Sequence, residues 1–504
     1  MKTVAGRTDR VVVVGAGLAG LSAALHLAGR GRSVVVLERD PGPGGRAGRV
    51  DLDGYHLDTG PTVLTMPAIL GDAFAAVGAD LAAHLRLTRL EPAYTARFAD
   101  GSVLPVHTDA ERMTDVVRDF AGPAEAAGYR RLRDWLTRLY RAEFDRFVAA
   151  NFDSPLGLLT PDLARLVALG GFRRLDPRIG AFLSDERLKR VFTFQALYAG
   201  ESPMRALALY AVISYMDTVG GVYFPEGGMA AVPQAMAKAA AEAGVEFRFG
   251  TAVSALERRG PRITALHTDN GSRIEADAVV LTTEPHESYR LLGRTPRRPV
   301  QLRAAPSALV LHAGGPAEPA LGHHTISFGN GWASTFRELI TDGRRMSDPS
   351  LLITRPTATD PSLAPPGRDL YSILAPVPNL DRGPRDWDAD AQPYAEEILD
   401  HVRARLLPGF TPETSYVLSP ADWQRRGLVA GTPFSYAHSF VQTGPFRPRN
   451  LPPGTENVVL AGGGTVPGVG VPTVLLSGRL AADRITGGHR TTTTTLDLAA
   501  EGSR

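Results

Sequence analysis

The chain has 504 residues, a length that allows about three domains of typical size or two larger, interleaved ones. Its 55 Lys and Arg balance 53 Asp and Glu, so the formal charge of +2 lacks the basic excess that nucleic-acid binding requires. The sequence contains 0 cysteines, which excludes disulfides, thiolate catalysis and cysteine-ligated metals and favours the cytoplasm. No metal-ligand spacing stands out either, so we expect no metal site. Because of the charge balance, we expect no nucleic-acid partner.

The first predicted unit is a strand, a glycine loop, a helix and a second strand. The strand at 11–14 runs into GAGLAG, an apolar-periodic helix follows, and the strand at 34–37 ends just before a carboxylate. In the G-x-G-x-x-G pattern, the first glycine permits a tight turn, the second lets backbone amides approach a pyrophosphate, and the third lets helix pack on strand. A carboxylate about twenty residues later accepts ribose hydroxyls. The pattern predicts a dinucleotide site at Gly15, Gly17, Leu18, Ala19, Gly20 and Glu38.

The residues after the second strand carry another glycine loop and a turn. They read GPGGRAGRV and YHLDTGPTV, and the glycine pair again lets backbone lie close to a ligand. These segments resemble the amine-oxidase-like flavoprotein superfamily, in which they line an extended FAD. The resemblance implies FAD as the cofactor and adds to its site Arg39, Gly45, Arg46, Gly60, Pro61 and Thr62.

The middle of the chain changes pattern three times. Longer amphipathic segments predict a mainly helical insertion over 66–222, with a helix at 129–149. From 223 the pattern is a glycine-rich turn, a helix, a hairpin at Asn270-Gly271 and a strand at 277–281. This segment resembles the superfamily's second FAD-binding segment. The resemblance implies that the backbone of Val253, near the end of a strand, meets the adenine. A Pro-rich, strand-like stretch, with strands at 309–312 and 371–377, predicts an antiparallel sheet in a second domain.

The most specific motif lies near the C-terminus. A strand at 457–460 precedes AGGGTVPGVGVPTVLLSGRLAADRI, where glycines keep side chains off a flat ring and Pro472 suits the first turn of a helix beginning near Val471. The positive end of that helix would favour hydride acceptance by a flavin. The segment closely resembles the signature of bacterial-type phytoene desaturases, which often have His where this chain has Val466. The resemblance implies FAD contacts at Gly462, Gly463, Gly470, Val471 and Pro472.

The resemblance extends over nearly the whole chain, including the step QTGPFRP at 442–448. It implies successive desaturation of phytoene towards lycopene. In each step a hydride would pass to flavin N5 and a proton would leave the allylic cation. The partners implied are phytoene and its desaturated intermediates, with oxygen or a quinone as the electron acceptor.

A hydrocarbon substrate needs a shielded apolar tunnel and few polar groups. The aromatic residues that either line such a tunnel or pack in the core are Phe192, Phe194, Tyr198, Tyr210, Tyr215, Tyr223 and Phe224. The sequence leaves the catalytic residues unknown. Four polar residues lie among apolar ones and could be either functional groups or paired structural charges: Glu201, Arg205, Asp217 and Glu226. The pair His323 and His324 is expected on a surface loop.

Carotenoid precursors reside in the bilayer, yet the longest apolar run, 204–216, is too short to span it. We therefore expect no integral anchor. Residues 161–175 have apolar positions at helical spacing together with Arg165, Arg173 and Arg174, which suits either an interfacial helix or an ordinary surface helix. The predicted location is cytoplasmic with peripheral membrane association.

These patterns predict an α/β fold in which a Rossmann-type FAD-binding domain is interleaved with a substrate domain of antiparallel sheet plus helical insertion. The FAD-binding domain is assigned to 1–65, 223–292 and 455–490, the substrate and membrane-contact domain to 66–222 and 293–454, and a disordered tail to 491–504. The alternatives are a related carotenoid oxidoreductase on another polyene, a flavin amine oxidase, and a non-catalytic prenyl-binding protein like the Rab GDP-dissociation inhibitors, which share the fold.

Overall fold

The computed structural model describes residues 1–295, 301–318 and 321–488. The strands, in chain order, are β1 (Arg10–Val14), β2 (Ser33–Leu37), β3 (Arg49–Leu52), β4 (Tyr55–Asp58), β5 (Leu64–Thr65), β6 (Leu87–Arg89), β7 (Tyr94–Phe98), β8 (Val103–Val106), β9 (Val222–Pro225), β10 (Glu246–Arg248), β11 (Val253–Arg259), β12 (Arg262–Thr268), β13 (Arg273–Glu275), β14 (Ala278–Leu281), β15 (Ser307–Pro316), β16 (His324–Phe328), β17 (Leu351–Thr354), β18 (Arg368–Val377), β19 (Thr414–Leu418) and β20 (Val458–Leu460).

The α-helices are α1 (Leu18–Gly29), α2 (Pro67–Ala75), α3 (Leu81–His84), α4 (Ala110–Ala121), α5 (Pro123–Glu143), α6 (Pro161–Ala168), α7 (Leu175–Gly180), α8 (Glu186–Val191), α9 (Ala211–Tyr215), α10 (Ala231–Glu242), α11 (Pro285–Leu291), α12 (Trp332–Arg337), α13 (Trp387–Arg405), α14 (Pro420–Arg425) and α15 (Val471–Thr486). Helices α5 and α9 each continue into a π-helical turn, Phe144–Val148 and Met216–Gly220.

A five-stranded parallel sheet carries the N-terminal motif. Its strand order is β10-β2-β1-β14-β20, so the chain returns to this sheet three times after β2, at β10, β14 and β20. The valines of β1 are almost fully buried, as expected for a strand covered on both faces. Helices α1 and α15 cross so closely that a side chain on Gly478 would overlap the α1 backbone at Ala19. The first and last helices of the described chain are thereby locked together.

A seven-stranded sheet forms the second layer, in the order β19-β15-β18-β17-β16-β7-β8. Its pairs are antiparallel except for β7 with β16. The predicted strands at 309–312 and 371–377 are the cores of β15 and β18, which pair over their full lengths. The predicted α/β fold, with a parallel sheet interleaved with an antiparallel one, is confirmed, while the exact domain bounds remain a prediction.

The 66–222 insertion is mainly helical, as predicted, but it also contains the hairpin β7–β8, which joins the seven-stranded sheet. The alternating sequence and the Asp100-Gly101 turn of this hairpin were the missed signal. Several other local predictions were wrong. Val253 begins a strand instead of ending one. The helix predicted at 129–149 ends at Glu143, where a π-helical turn replaces it.

The segment 161–175 is not one helix. Helix α6 ends at Ala168, and Gly170 then adopts a left-handed backbone with φ of 76°. His323 and His324 are not on the surface, since both are buried and His324 opens the internal strand β16. The predicted disordered tail at 491–504 lies outside the described residues.

Candidate functional site

A cavity of about 1830 Å³ lies between the carboxyl ends of the parallel strands and the face of the seven-stranded sheet. The first wall contains loops that follow β1, β2, β14 and β20, and the second contains residues of β15, β17 and β18. Open α/β sheets bind ligands at these carboxyl ends. Ligand pockets usually measure about 300–1,000 Å³, so this cavity has room for two ligands side by side.

The N-terminal glycine loop forms one end of the cavity. Gly17 caps α1 at its N-terminus, and the free backbone amides of Leu18 and Ala19 lie at the cavity wall. Gly17 also forms a backbone bridge with Gly44, so the two glycine loops lie side by side. Gly20 lies outside the wall, where a side chain would overlap the Gly15 carbonyl. Its function is the close packing of α1 on the loop.

Glu38 lies at the end of β2 and is almost fully buried. Its carboxylate accepts hydrogen bonds from the backbone amides of Ala16 at 2.6 Å and Asp40 at 3.0 Å. Each oxygen keeps a lone pair that a ribose hydroxyl can use. The exposed Arg39 donates to the carbonyl of Arg426 at 2.8 Å, across the cavity rim.

Arg46 belongs to an ion-pair network that the sequence analysis missed. Its guanidinium contacts Glu284, whose other oxygen accepts a hydrogen bond from Ser435 at 2.7 Å. A side chain on Gly463 would lie 3.2 Å from Arg46 Nη1, so the guanidinium touches the C-terminal glycine loop. The buried Nε of Arg46 has no partner within the described chain. Sequence reasoning could not pair Arg46 with an acid 238 positions away.

The C-terminal glycine loop and the start of α15 close the wall. Gly462, Gly463 and Gly470 line the cavity together with Val471 and Pro472, the first residues of α15. A helix N-terminus here carries partial positive charge.

The QTGPFRP step holds the C-terminal loop in place. The buried Arg447 donates to the carbonyl of Thr465 at 2.9 Å and to that of Gly463 at 2.6 Å. Gln442 donates to the carbonyl of Ala437 at 2.8 Å, which fixes the segment that carries Arg447. Through these hydrogen bonds the QTGPFRP segment supports the C-terminal glycine loop.

These residues fit FAD. The two glycine loops leave space for a pyrophosphate at a helix N-terminus, Glu38 suits the ribose, and Arg46 with the start of α15 suits the polar edge of the flavin. The remaining predicted positions Gly60, Pro61, Thr62 and Val253 also line the cavity. Apart from Gly20, the cavity wall includes each residue predicted to contact FAD, with Gly15 among them.

The other half of the cavity is mainly apolar. Of the seven predicted tunnel aromatics, Tyr198 and Tyr210 line it. The others lie away from the wall; Tyr215, for example, stacks on Tyr140 with centroids 4.2 Å apart. The aromatic lining that the sequence analysis missed comprises Phe147, Phe152, Phe172, Trp423, Phe434, Phe440 and Phe446.

Two buried carboxyl groups face this apolar half. Glu143 ends α5, and burial alone raises its pKa well above the usual range; its Oε2 has no partner within the described chain. Asp217 lies in the π-helical turn after α9, and burial raises its pKa to about 7, opposed by a hydrogen bond from Gln195. Both acids can hold a proton at neutral pH.

The other polar candidates do not reach the cavity wall. Glu226 forms an exposed ion pair with Arg86, with 3.2 Å between the two groups. Glu201 is buried and pairs with Arg303, and Arg205 is exposed. Across residues 1–295, 301–318 and 321–488, no group of His, Asp and Glu is arranged to hold a metal ion. Over the same ranges, none of the helices combines the length and the apolar character needed to cross a bilayer.

Comparison with known proteins agrees with this geometry. The family model of flavin containing amine oxidoreductases matches residues 18–486. A phytoene dehydrogenase of Streptomyces griseus is 62% identical over 492 residues, which are 97% of this chain and 97% of that protein. A zeta-carotene-forming phytoene desaturase of Myxococcus xanthus is 34% identical over 489 residues, with 94% of this chain and 93% of that protein covered.

A solved oxidoreductase of Methanosarcina mazei has the same fold, with a TM-score of 0.62 at 17% identity over 93% of this chain and 99% of that one. The predictions of FAD and of an enzyme are confirmed, against the alternative of a non-catalytic prenyl-binding protein. The chain therefore belongs to the flavin-containing amine oxidoreductases and, within them, to the phytoene desaturase type of carotenoid oxidoreductase.

Proposed function

We propose that the protein introduces successive double bonds into phytoene towards lycopene. Bound FAD would supply the hydride acceptor, at N5 of the flavin. The observation that carries the proposal is the apolar half of the cavity, which continues directly from the wall that suits the flavin. Such a surface binds a hydrocarbon by burial and excludes water from the reacting carbons.

A two-part cavity also suits repeated reaction on one substrate. The walls beyond the flavin loops are built mainly from apolar residues such as Val310, Leu352 and Leu374, with the two acids Glu143 and Asp217 among them. Apolar contacts are non-directional, so a polyene can shift along this wall and present a new pair of carbons. We therefore favour several desaturations by one protein.

We further propose that the cavity mouth contacts a membrane surface. Leu156 and Leu159 are each 74% exposed, and Val167 is 59% exposed, on the segment around α6. Leu158, which lies between two of these residues in the chain, lines the cavity, and so does Phe440, which is 53% exposed. Arg165, in α6, pairs with Asp162 at 2.7 Å, but the exposed Arg173 beyond this helix adds positive charge that anionic lipid headgroups attract.

The first experiment incubates the FAD-loaded protein with phytoene in liposomes, in the presence of oxygen or a quinone. We expect product chromatography and the visible spectrum to show lycopene. Accumulation of zeta-carotene alone would contradict the full series of desaturations. A yellow protein that leaves phytoene untouched would contradict phytoene as the substrate.

Membrane contact is tested by flotation of the protein with anionic vesicles. We expect Leu159→Asp to reduce the bound fraction severalfold, because it places a charge among the exposed apolar side chains. Val103→Asp is the matched control, since Val103 is 43% exposed on β8 and does not line the cavity. Equal flotation of the two variants would contradict this docking surface.

A further inference from the structure

A carboxyl group lies where the helical wall of the cavity meets the segment that carries predicted flavin contacts. Asp217 belongs to the π-helical turn Met216–Gly220, lines the cavity and is 6% exposed. The strand after this turn, β9, pairs through Val222 with Thr65 of β5, which also lines the cavity. Strand β5 follows the predicted FAD contacts at 60–62 after a single residue. Asp217 is therefore close to the border between the flavin wall and the apolar half.

The carboxyl group of Asp217 is open to this cavity. It is not sealed within the protein, unlike Oε2 of Glu143 and Nε2 of His438, which have neither accessible surface nor a partner in the described chain. Within residues 1–295, 301–318 and 321–488 it also forms no ion pair with Lys, Arg or His. A substrate in the cavity can therefore reach an oxygen of Asp217.

One buried amide holds the carboxyl group in position. Gln195 donates a hydrogen bond to Asp217, and its Nε2 also donates to the carbonyl of Val191 at 3.2 Å. The amide is thus fixed to the backbone of the preceding helix, α8. A carboxylate offers about four lone pairs, so a hydrogen bond from Gln195 leaves others free to accept a proton.

The surroundings suit a group that gains and loses a proton near neutral pH. Burial raises the pKa of Asp217 to about 7, close to the value that serves a general base best. The titratable neighbours are two phenols, Tyr94 on β7 and Tyr198 on the cavity wall; burial, and then Asp217, raise the pKa of both well above the usual range, so they stay neutral. On the side of α5, Arg133 donates to the backbone carbonyl of Thr218 at 3.2 Å.

Other groups on this wall are weaker acceptors. Glu143 is the second acid of the apolar half, but burial raises its pKa well above the usual range, so it keeps its proton. The hydroxyl of Tyr210 donates to Thr443 at 2.6 Å. Val466, on the C-terminal loop, has an apolar side chain. Of the two acids that face the apolar half, Asp217 is the one that ionises near neutral pH.

We propose that the carboxylate of Asp217 accepts the proton that leaves the substrate in each desaturation. This inference rests on the proposed function. Once a hydride has left one carbon for FAD, the C–H bond on the adjacent carbon breaks. Its electron pair becomes the new double bond, and its proton forms an O–H bond with Asp217. When oxygen or a quinone regenerates the cofactor, it takes up two electrons and two protons, one of them from Asp217.

The first test compares the wild type with Asp217→Asn, which keeps the shape of the side chain and lacks the basic oxygen. Both are loaded with FAD, checked for flavin content, and mixed anaerobically with phytoene in liposomes. We expect the variant to retain FAD and to form the first desaturated product about 100-fold more slowly, the lower range for loss of a general base. Asp115→Asn is the matched control, because Asp115 is 60% exposed on α4 and does not line the cavity.

A pH series separates proton transfer from a structural role. The wild-type rate should rise with pH through about 7, because only the ionised carboxylate accepts a proton, whereas Asp217→Asn should show a level profile. Asp217→Glu should restore part of the rate and of the pH dependence. A rate like that of the wild type in Asp217→Asn, or an unchanged pH profile, would overturn the proposal. So would a profile that becomes level in Glu143→Gln and not in Asp217→Asn.

A spectroscopic arm does not depend on turnover. In FAD-loaded protein with ¹³C-carboxyl-labelled aspartate, the Asp217 signal is the one missing from Asp217→Asn, or from Asp217→Ser if the first variant does not retain FAD. We expect phytoene to raise the titration midpoint of this signal, because a hydrocarbon displaces water from the carboxylate, and to leave the Asp115 signal unchanged. No change would overturn the proposal. A wild type that forms no product from phytoene would instead contradict the proposed function.

Discussion

At the scale of single residues, glycines decide how closely the loops of the cofactor wall approach each other. Gly45 has a left-handed φ of 58°, and a side chain there would lie 3.2 Å from the Cα of Gly17. The two loops can therefore meet at one point and hold a pyrophosphate between backbone amides.

We expect Gly17→Val to lose FAD while the chain stays folded. A Cβ on Gly17 would lie 3.9 Å from Gly45, an ordinary contact, but the two valine methyl groups reach further, into the second loop or the cavity. Flavin absorbance and circular dichroism of the purified variant measure both effects. Gly322→Val is the control, because Gly322 is exposed with open space around it. Wild-type flavin content in Gly17→Val would contradict the assignment of this loop to the FAD site.

Residues of the site differ in how far the sequence alone could identify them. Gly15, Gly17 and Glu38 lie within one short βαβ unit, so their spacing carries the information. Glu284 was missed because its role depends on a partner that only tertiary folding brings close, Arg46.

At the scale of elements, helix α10 shows how a distant strand completes a helix terminus. Its N-cap residue, Ala230, offers no side-chain cap. Asp58, at the end of β4, supplies it by accepting from the amide of Met229 at 2.7 Å and from that of Ala230 at 2.9 Å. Burial raises the pKa of Asp58 to about 6, against the lowering effect of these two hydrogen bonds.

Asp58→Ala should lower the unfolding free energy by about 1–2 kcal/mol, the usual effect of a lost helix cap. Asp58→Asn keeps one acceptor oxygen and should retain part of that stability. Urea denaturation followed by circular dichroism gives both values. Asp80→Ala serves for comparison, since the exposed Asp80 caps only the short helix α3, at 3.1 Å from the amide of Ala82. An Asp58→Ala variant no less stable than Asp80→Ala would show that this cap contributes little.

Elements with strong local signals were predicted well. The start of α15 at Val471 and the strands β1 and β2 agree with the sequence patterns. The break after α6 was missed because apolar spacing continues through Gly170, whose left-handed backbone ends the helix. The hairpin β7–β8 had a local signal, but its place in the seven-stranded sheet depends on pairing with β16, more than 200 positions away in the chain.

At the scale of the whole molecule, buried titratable groups predict the response to acid. Burial lowers the pKa of His312 to about 4, of His26 and His324 to about 3, and of His323 to about 2. An unfolded histidine titrates near 6.5, so below that pH the unfolded chain binds more protons and the free energy of unfolding falls. Each histidine contributes up to about 1.4 kcal/mol per pH unit until its folded pKa is reached.

Buried acids act in the opposite sense. Asp58 and Asp217, with pKa values raised to about 6 and about 7, stabilise the folded state below pH 3.8 and lose that contribution as the pH rises through the raised values. Burial also lowers the pKa of His438 and raises those of Glu143 and Asp72, so among the described residues five such histidines oppose four such acids.

We therefore expect the urea midpoint of the protein to fall between pH 6.5 and pH 4.5. Tryptophan fluorescence across a pH series measures it, with the denaturant slope checked at each pH. A midpoint that stays level or rises on acidification would contradict the predicted balance of groups. Replacing one histidine, as in His312→Gln, should make the fall of the urea midpoint smaller by the contribution of that one histidine.

The order of strands in the parallel sheet has a consequence for biosynthesis. The edge strand β20 and helix α15 are the last elements of the described chain, yet they complete a wall begun by β1 and α1. A nascent polypeptide emerging from the ribosome can form its first glycine loop early but cannot enclose the flavin until about residue 474 has been synthesised. Enclosure of the cofactor thus waits for the C-terminal glycine loop, and the apolar cavity stays open until that segment has been synthesised.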